Sequence, residues 1–277
     1  MSDEAAPRRL IVNADDFGRS PSINQAVALA HREGILTTAS LMVNEAAADQ
    51  AVALARENPK LGVGLHLALV CGRAALPRER IPNLAGAPGR FSDNPVGAGL
   101  SYYFKSKCRQ ELRAEIAEQF AKFRATGLKL DHVNGHLNIH LHPVVLNILM
   151  ENAAAWGIRA MRLTRDPFFL NARLASGQWG YRASHGLIFG LLSNWARPRL
   201  ARHGVRHTAA VFGLLQNGRV DAGYVEKLLR RLPAGDLELY SHPSLDQFRN
   251  ECDALANPAL RKLAREMGID LIRYQDL

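Results

Sequence analysis

The polarity pattern of this chain switches repeatedly between short apolar bursts and stretches with helical spacing. Residues 8–14 form an apolar run that predicts a strand, closed by Asp15-Asp16-Phe17-Gly18. A helix is expected from about Ser22, a good N-cap, to Gly34, a good stop. Residues 37–43 are β-branched and apolar and predict a second strand. The alanine-rich stretch 46–56 predicts a helix ended by Asn58-Pro59, and residues 62–69 a third strand with His66 inside it. Leu112, Ile116, Phe120 and Phe123 recur at helical spacing, so 108–126 is predicted as a helix with that stripe in the core. Strands at 128–133 and 158–163 bracket a helix at 143–156. The alternation continues through 207–214, 221–232, 236–241, 258–267 and 269–272. About eight short strands with helices between most of them predict an α/β fold: an irregular (β/α) TIM-like barrel, one domain spanning residues 1–277. There is no repeat of fixed period to predict a solenoid, and neither GxGxxG nor a Walker-type loop to favour an open nucleotide-binding sheet.

Two segments break the rhythm. Residues 71–107 begin dense in proline and glycine, and so long a connection is expected to act as a lid or substrate loop. Residues 164–206 form a basic and apolar insertion.

Composition narrows the class. The 277 residues are 47% hydrophobic, as in a globular protein. The start MSDEAAPRRL has no apolar centre and is not expected to be a leader, and no run is long enough to span a bilayer. Cys71, Cys108 and Cys252 are odd in number, far apart and without CxxC spacing, which predicts reduced thiols and a cytoplasmic location.

The chemistry concentrates in Asp131-His-Val-Asn-Gly-His-Leu-Asn-Ile-His-Leu-His-Pro143. It holds His132, His136, His140 and His142, four of the ten histidines. Gly135 and Pro143 predict a loop leaving a strand and entering a helix, which is where barrels carry their chemistry. Asp15/Asp16, His66 and His242 also fall at or just after strand ends. Carboxylate and imidazole groups converging on one barrel face suit a divalent ion, Zn²⁺ or Mg²⁺, with one adjacent Asp ligating and the other free. The same set would serve amide hydrolysis or a metal-dependent phosphoesterase, and a catalytically silent glycolipid-binding protein is the third reading.

At these residues the chain resembles the YdjC-like carbohydrate deacetylases, the family that includes chitooligosaccharide deacetylase. The matching pieces are Leu10-Ile-Val-Asn-Ala-Asp-Asp-Phe-Gly18, Ser40-Leu-Met-Val-Asn44, Gly64-Leu-His-Leu67, His132-Val-Asn-Gly-His136, Ser241-His-Pro243 and Tyr274-Gln-Asp276. The resemblance implies a hydrolase that removes N-acetyl groups from amino sugars with one divalent metal. It implies Asp16, His66 and His136 as ligands and Asp15 as the base. His242 is the candidate acid for the leaving amine, and His140 and Asn138 are the candidate sugar contacts. The chain departs from the family at Asn134 and Asn138, where aspartate and histidine are common. The variant of the histidine loop is most similar to the branch associated with hopanoid biosynthesis (HpnK), which implies an N-acetylglucosaminyl hopanoid lipid as substrate; soluble chitooligosaccharides are the alternative.

Charge adds a partner. The net charge is +9, and nine arginines from Arg159 to Arg206 stand against one acidic residue, Asp166. Among them, Gly186–Trp195 is too short to span a bilayer but apolar enough to lie in its surface. Two readings stand: peripheral contact with the inner membrane face through Leu187, Ile188, Phe189, Leu191, Leu192 and Trp195, aided by Arg197, Arg199, Arg202 and Arg206, or a core helix beside a solvated basic neighbour. Without a recognisable nucleic-acid motif, no nucleic-acid partner is expected. The sequence does not fix the oligomeric state.

Overall fold

The computed structural model describes residues 6–277; residues 1–5, half of the stretch read for a leader, lie outside the described residues. Nine strands form: β1 (Arg8–Phe17), β2 (Thr38–Leu41), β3 (Gly62–Leu67), β4 (Ala85–Gly86), β5 (Arg90–Phe91), β6 (Leu130–Gly135), β7 (Ala210–Phe212), β8 (Gly235–Ser241) and β9 (Ile269–Ile272). Eleven α-helices accompany them: α1 (Pro21–Glu33), α2 (Ala48–Glu57), α3 (Pro95–Phe104), α4 (Ser106–Ala125), α5 (Pro143–Glu151), α6 (Ala153–Trp156), α7 (Phe168–Leu174), α8 (Trp179–Arg202), α9 (Ala222–Arg230), α10 (Arg249–Leu255) and α11 (Pro258–Glu266).

One curled parallel sheet of seven strands runs β6-β3-β2-β1-β8-β7, with β9 paired to β1 off this path and helices packed outside it. β1 is the axis of the fold. From Leu10 onward every residue of it is buried, as expected of a strand covered on both faces. β8 pairs along Arg8–Ala14 on one edge; β9 takes Arg8–Ile11 and β2 takes Asn13–Phe17 on the other. The helices follow ordinary local rules. Ser20 caps α1 by accepting from the Ile23 amide, with Pro21 in the first turn. The stripe Leu112, Ile116, Phe120 and Phe123 is buried on α4, and Phe120 stacks on Trp156.

The structure corrects the expectation of a closed barrel. The ladder is open between β6 and β7, where residues 158–163, predicted as a strand, make only isolated bridges: Val133 with Met161 and Ala160 with Arg206. Backbone hydrogen bonds of Val133 with Ala160 and Arg162, and of Arg206 with Arg159 and Met161, accompany these bridges, but no continuous ladder forms before the chain leaves towards Pro167, which has no N–H to donate. The helix expected at 143–156 is also broken, at Asn152, whose side chain donates to the Ile148 carbonyl.

Residues 71–107 are not irregular throughout. They contain the β4–β5 hairpin and α3, and their start is pinned by buried Glu115, which accepts from the Ala75 and Leu76 amides at 2.7 and 2.9 Å. The 164–206 segment folds as α7 and α8, and two of the nine arginines from Arg159 to Arg206, Arg162 just before the segment and Arg182 within it, are buried rather than displayed. Within α8, Leu187, Ile188 and Leu191 are exposed, whereas Phe189, Leu192 and Trp195 pack partly against the core. Among the described residues no helix is long and apolar enough to cross a membrane.

Candidate active site

The site is assembled from strand C-terminal ends: Asp15 and Asp16 of β1, His66 of β3, His136 after β6 and His242 after β8. Successive residues on a regular strand face opposite ways, yet both carboxylates face His66. The cause is a bulge. From Ala14 to Phe17 β1 takes three steps while β2 takes two, from Ala39 to Leu41, and Asp16 adopts a left-handed φ of 64°. A left-handed aspartate is uncommon, and the kink re-aims its side chain beside that of Asp15.

Asp16, His66 and His136 offer one ligand atom each, all within 4.8 Å of one another. Nδ1 of His136 lies 2.9 Å and Nε2 of His66 3.3 Å from Asp16 Oδ1. The other nitrogen of His66, Nδ1, is 2.7 Å from Asn134 Oδ1, which can only accept; His66 must donate there, leaving Nε2 with its lone pair towards Asp16. That Nε2 is buried and has no hydrogen-bond partner. A deeply buried, unpartnered imidazole nitrogen beside a carboxylate and a second imidazole fits a divalent cation. Burial alone would raise the Asp16 carboxyl, but the neighbouring imidazoles, His136 first through its hydrogen bond, outweigh it and hold the group well below the usual carboxylate range.

Asp15 is held by four donations. Arg162 gives Nη1 to Oδ2 at 2.7 Å and Nη2 to Oδ1 at 3.0 Å, and Oδ1 also accepts from Asn13 (2.8 Å) and Asn134 (3.0 Å). Burial works against the Asp15 anion, but the Arg162 charge dominates the opposing effects and keeps its pKa far below normal. The back of Arg162 is clamped by Glu238, which accepts from Nε at 2.9 Å and Nη2 at 2.7 Å, and Glu238 in turn accepts from the Tyr274 hydroxyl. Tyr274 stacks on His132, which lies 2.9 Å from both Ser40 Oγ and Asp131 Oδ2. Thus the Ser40, His132 and Tyr274 pieces of the sequence pattern form a buried scaffold behind the two aspartates.

A cleft of about 410 Å³ opens onto this floor, lined by Asp16, Arg19, His136, Leu137, Asn217, His242 and Phe248, among others. His242 is about one-fifth exposed and its Nε2 is 4.0 Å from Asp15 Oδ2. Of the four histidines in the 131–143 stretch, only His136 lines the cleft. His142 bonds the Gly99 carbonyl, and His140 is fully buried against the Arg162 carbonyl at 3.0 Å. Burial and the neighbouring Arg162 charge push the His140 pKa down to about 3. The sugar contact expected of His140 is therefore not carried by its position, which is structural. Asn138 lies outside the cleft, accepting from Thr164 Oγ1 at 2.8 Å and lining an adjacent groove.

Sequence reasoning missed Arg162 and Glu238. Arg162 was one arginine among nine on an assumed surface. The available signal was Glu238 itself, a carboxylate inside the apolar run Leu237-Glu238-Leu239, which calls for a buried cation.

Comparison with known proteins agrees with this architecture. The family model described as YdjC-like protein matches residues 9–266. A carbohydrate deacetylase of Brevibacillus brevis is 41% identical over 150 residues, covering 54% of this chain and 57% of that protein. One from Geobacillus stearothermophilus is 36% identical, covering 57% and 62%. One from Mus musculus is 29% identical over 99% of this chain and 96% of its own length. The matches to the two bacterial relatives thus span about three-fifths of their lengths. Among solved structures, an Enterococcus faecalis V583 protein to which cellobiose-phosphate cleavage is provisionally ascribed superposes with a TM-score of 0.75 at 21% identity, covering 98% of this chain and 99% of that one, which shows the fold. With the family model matching nearly its whole length, the chain belongs to the YdjC-like family.

Proposed function

We propose that this chain is a metal-dependent N-deacetylase that hydrolyses the acetamide of an N-acetylglucosamine-type sugar. The observation that carries this reading is the unpartnered Nε2 of His66, aimed at Asp16 and His136 beside a tethered second aspartate. The relatives named as carbohydrate deacetylases support the substrate class. Asp16, His66 and His136 would hold the ion, Zn²⁺ or Mg²⁺. When bound, it would polarise the amide carbonyl and raise the acidity of water in the cleft.

The protein's own groups carry the protons. Asp15 accepts the proton of the attacking water, and Arg162 fixes the angle at which its carboxylate meets that water. The water oxygen adds to the acetyl carbon as its proton passes to Asp15. His242 Nε2, at the cleft wall, gives a proton to the sugar nitrogen as the C–N bond breaks, releasing acetate and the free amine. Asn134 keeps His66 in the required tautomer.

In its finer form the substrate is lipid-linked, an N-acetylglucosaminyl hopanoid, met by peripheral docking on the inner membrane face. The exposed Leu187, Ile188 and Leu191 of α8, with arginines following them, support that reading. The test is acetate release from chitobiose and from a lipid-linked acetylglucosamine, with and without chelation and metal return. Acetate lost on chelation and restored by Zn²⁺ or Mg²⁺ is expected. Phosphate release from esters without acetate release would make the chain a phosphoesterase. Binding of the glycolipid with no turnover would make it a binding protein.

A further inference from the structure

The cleft does not end at His136. Leu137 is half exposed and lines both the cleft and a neighbouring groove of about 440 Å³. One wall of the groove is Leu100, Tyr103 and Phe104 of α3; the other is Phe189 and Leu192 of α8. Leu137 and Asn138 sit at its junction with left-handed φ values of 51° and 57°. A leucine in that conformation is strained and persists only where its surroundings fix it, here through the Asn138–Thr164 hydrogen bond at 2.8 Å. The strain sets an apolar side chain between the polar cleft and the apolar groove. The walls are costly too. Of eleven large apolar side chains exposed among the described residues, five (Val96, Leu100, Tyr103, Phe104 and Leu137) line this groove. Apolar surface gathered at the mouth of a site marks a binding surface.

We propose that this groove is a second subsite of the same active site and takes a bulky apolar group joined to the amino sugar. Continuity selects that occupant: a molecule whose acetamide lies by Asp16 and His136 passes Leu137 directly into the groove. The volume is in the range that takes a drug-sized ligand. The inference rests on the deacetylase reading for the sugar half only.

The test pairs binding with turnover. Octyl β-glucoside and methyl β-glucoside, neither with an acetamide, are titrated calorimetrically into the protein below micelle-forming concentration. Each methylene the groove removes from water is worth about a fourfold gain in affinity, so an octyl chain seating half its length should bind roughly a hundredfold tighter than methyl. Leu100→Asp with Phe104→Asp, both at exposed positions, should abolish that preference, and Leu100→Ser should reduce it should the double variant not fold. The matching N-acetylglucosaminides, assayed for acetate, should show the same ratio in KM. A groove-dependent octyl preference with no acetate from either glycoside would sink the deacetylase reading and leave the subsite standing. Equal affinities, or a preference that survives the variants, would overturn the subsite. So would variants that lose only sedimentation with phosphatidylglycerol vesicles or only self-association, since the groove would then face a bilayer or a second copy.

Discussion

Replacing Arg162 by methionine tests the electrostatic centre of this structure. Methionine keeps an unbranched apolar chain of similar reach beneath Tyr240, whose ring lies 4.1 Å from the guanidinium carbon. It removes four hydrogen bonds, two to Asp15 and two to Glu238, at 2.7 to 3.0 Å. All three side chains are essentially inaccessible to water. Breaking a buried ion pair by deleting one partner costs about 3 to 5 kcal/mol, because a desolvated charge is left behind. Here two carboxylates are orphaned, although Asp15 keeps Asn13 and Asn134 and Glu238 keeps Tyr274. A loss of roughly 3 to 5 kcal/mol relative to wild type is therefore expected in urea unfolding at pH 8. The sign of its pH dependence is fixed. In the folded variant the Asp15 carboxyl loses its principal cation and its pKa rises, and a raised folded pKa gives stability that returns as the pH falls. The deficit should shrink between pH 8 and pH 5, and Glu238→Gln added to Arg162→Met should recover part of it. A deficit below about 1 kcal/mol, equal at both pH values, would refute the tethering argument.

Three further outcomes are expected. His66→Ala and His136→Ala should each fold but lose most bound metal by elemental analysis; stoichiometric metal in either would remove that residue from the ligand set. Asp15→Asn should keep its metal yet lose on the order of a hundredfold in acetate release, and metal loss there with retention in Asp16→Asn would reverse the two roles. Asp166 is raised to about 7, chiefly by burial. Its stabilising contribution is fully present below about pH 4 and lost as the pH rises through about 7, so Asp166→Asn should lower the wild-type loss between pH 5 and pH 8 by about 2 to 3 kcal/mol, and an unchanged pH slope would contradict this.

The sequence pattern placed the helices and strands around β1, β2, β3, β6 and β8 because parallel strands buried on both faces read as unbroken apolar runs. It put Asp16, His66 and His136 at strand ends, and in the fold their ligand atoms do meet. What it missed depends on pairing, which periodicity cannot see. Residues 158–163 look like a strand, but they form only isolated bridges, at Ala160 and Met161, rather than a ladder, so the sheet stays open. α10 lies outside every element the pattern predicts, and within the basic segment that folds as α7 and α8 the pattern marks only the apolar 186–195 as helical. The histidine loop misled in the other direction: chemical type made His140 a candidate sugar contact beside the ligand His136, and only burial separates a histidine packed inside from one facing the cleft.

The adjacent aspartates show most clearly why local rules fail at a site. Strand alternation requires Asp15 and Asp16 to face apart, and from that rule one was expected to ligate and the other to act as base. The structure instead brings both to the same side by an extra residue and a left-handed turn in β1. Their different roles arise from their partners. Arg162, Asn13 and Asn134 saturate Asp15 and fix its direction, while Asp16 faces two imidazoles and an exposed arginine, Arg19. The same reasoning explains the departure at Asn134. An aspartate there could accept from His66, but it would put a second carboxylate against Asp15 Oδ1, now 3.0 Å from the amide nitrogen of Asn134. Asparagine satisfies both neighbours at once, accepting from His66 Nδ1 through its oxygen and donating to Asp15 through its nitrogen. In this chain, then, one neutral amide links Asp15 to the imidazole facing Asp16, and the two halves of the site are positioned through a single side chain.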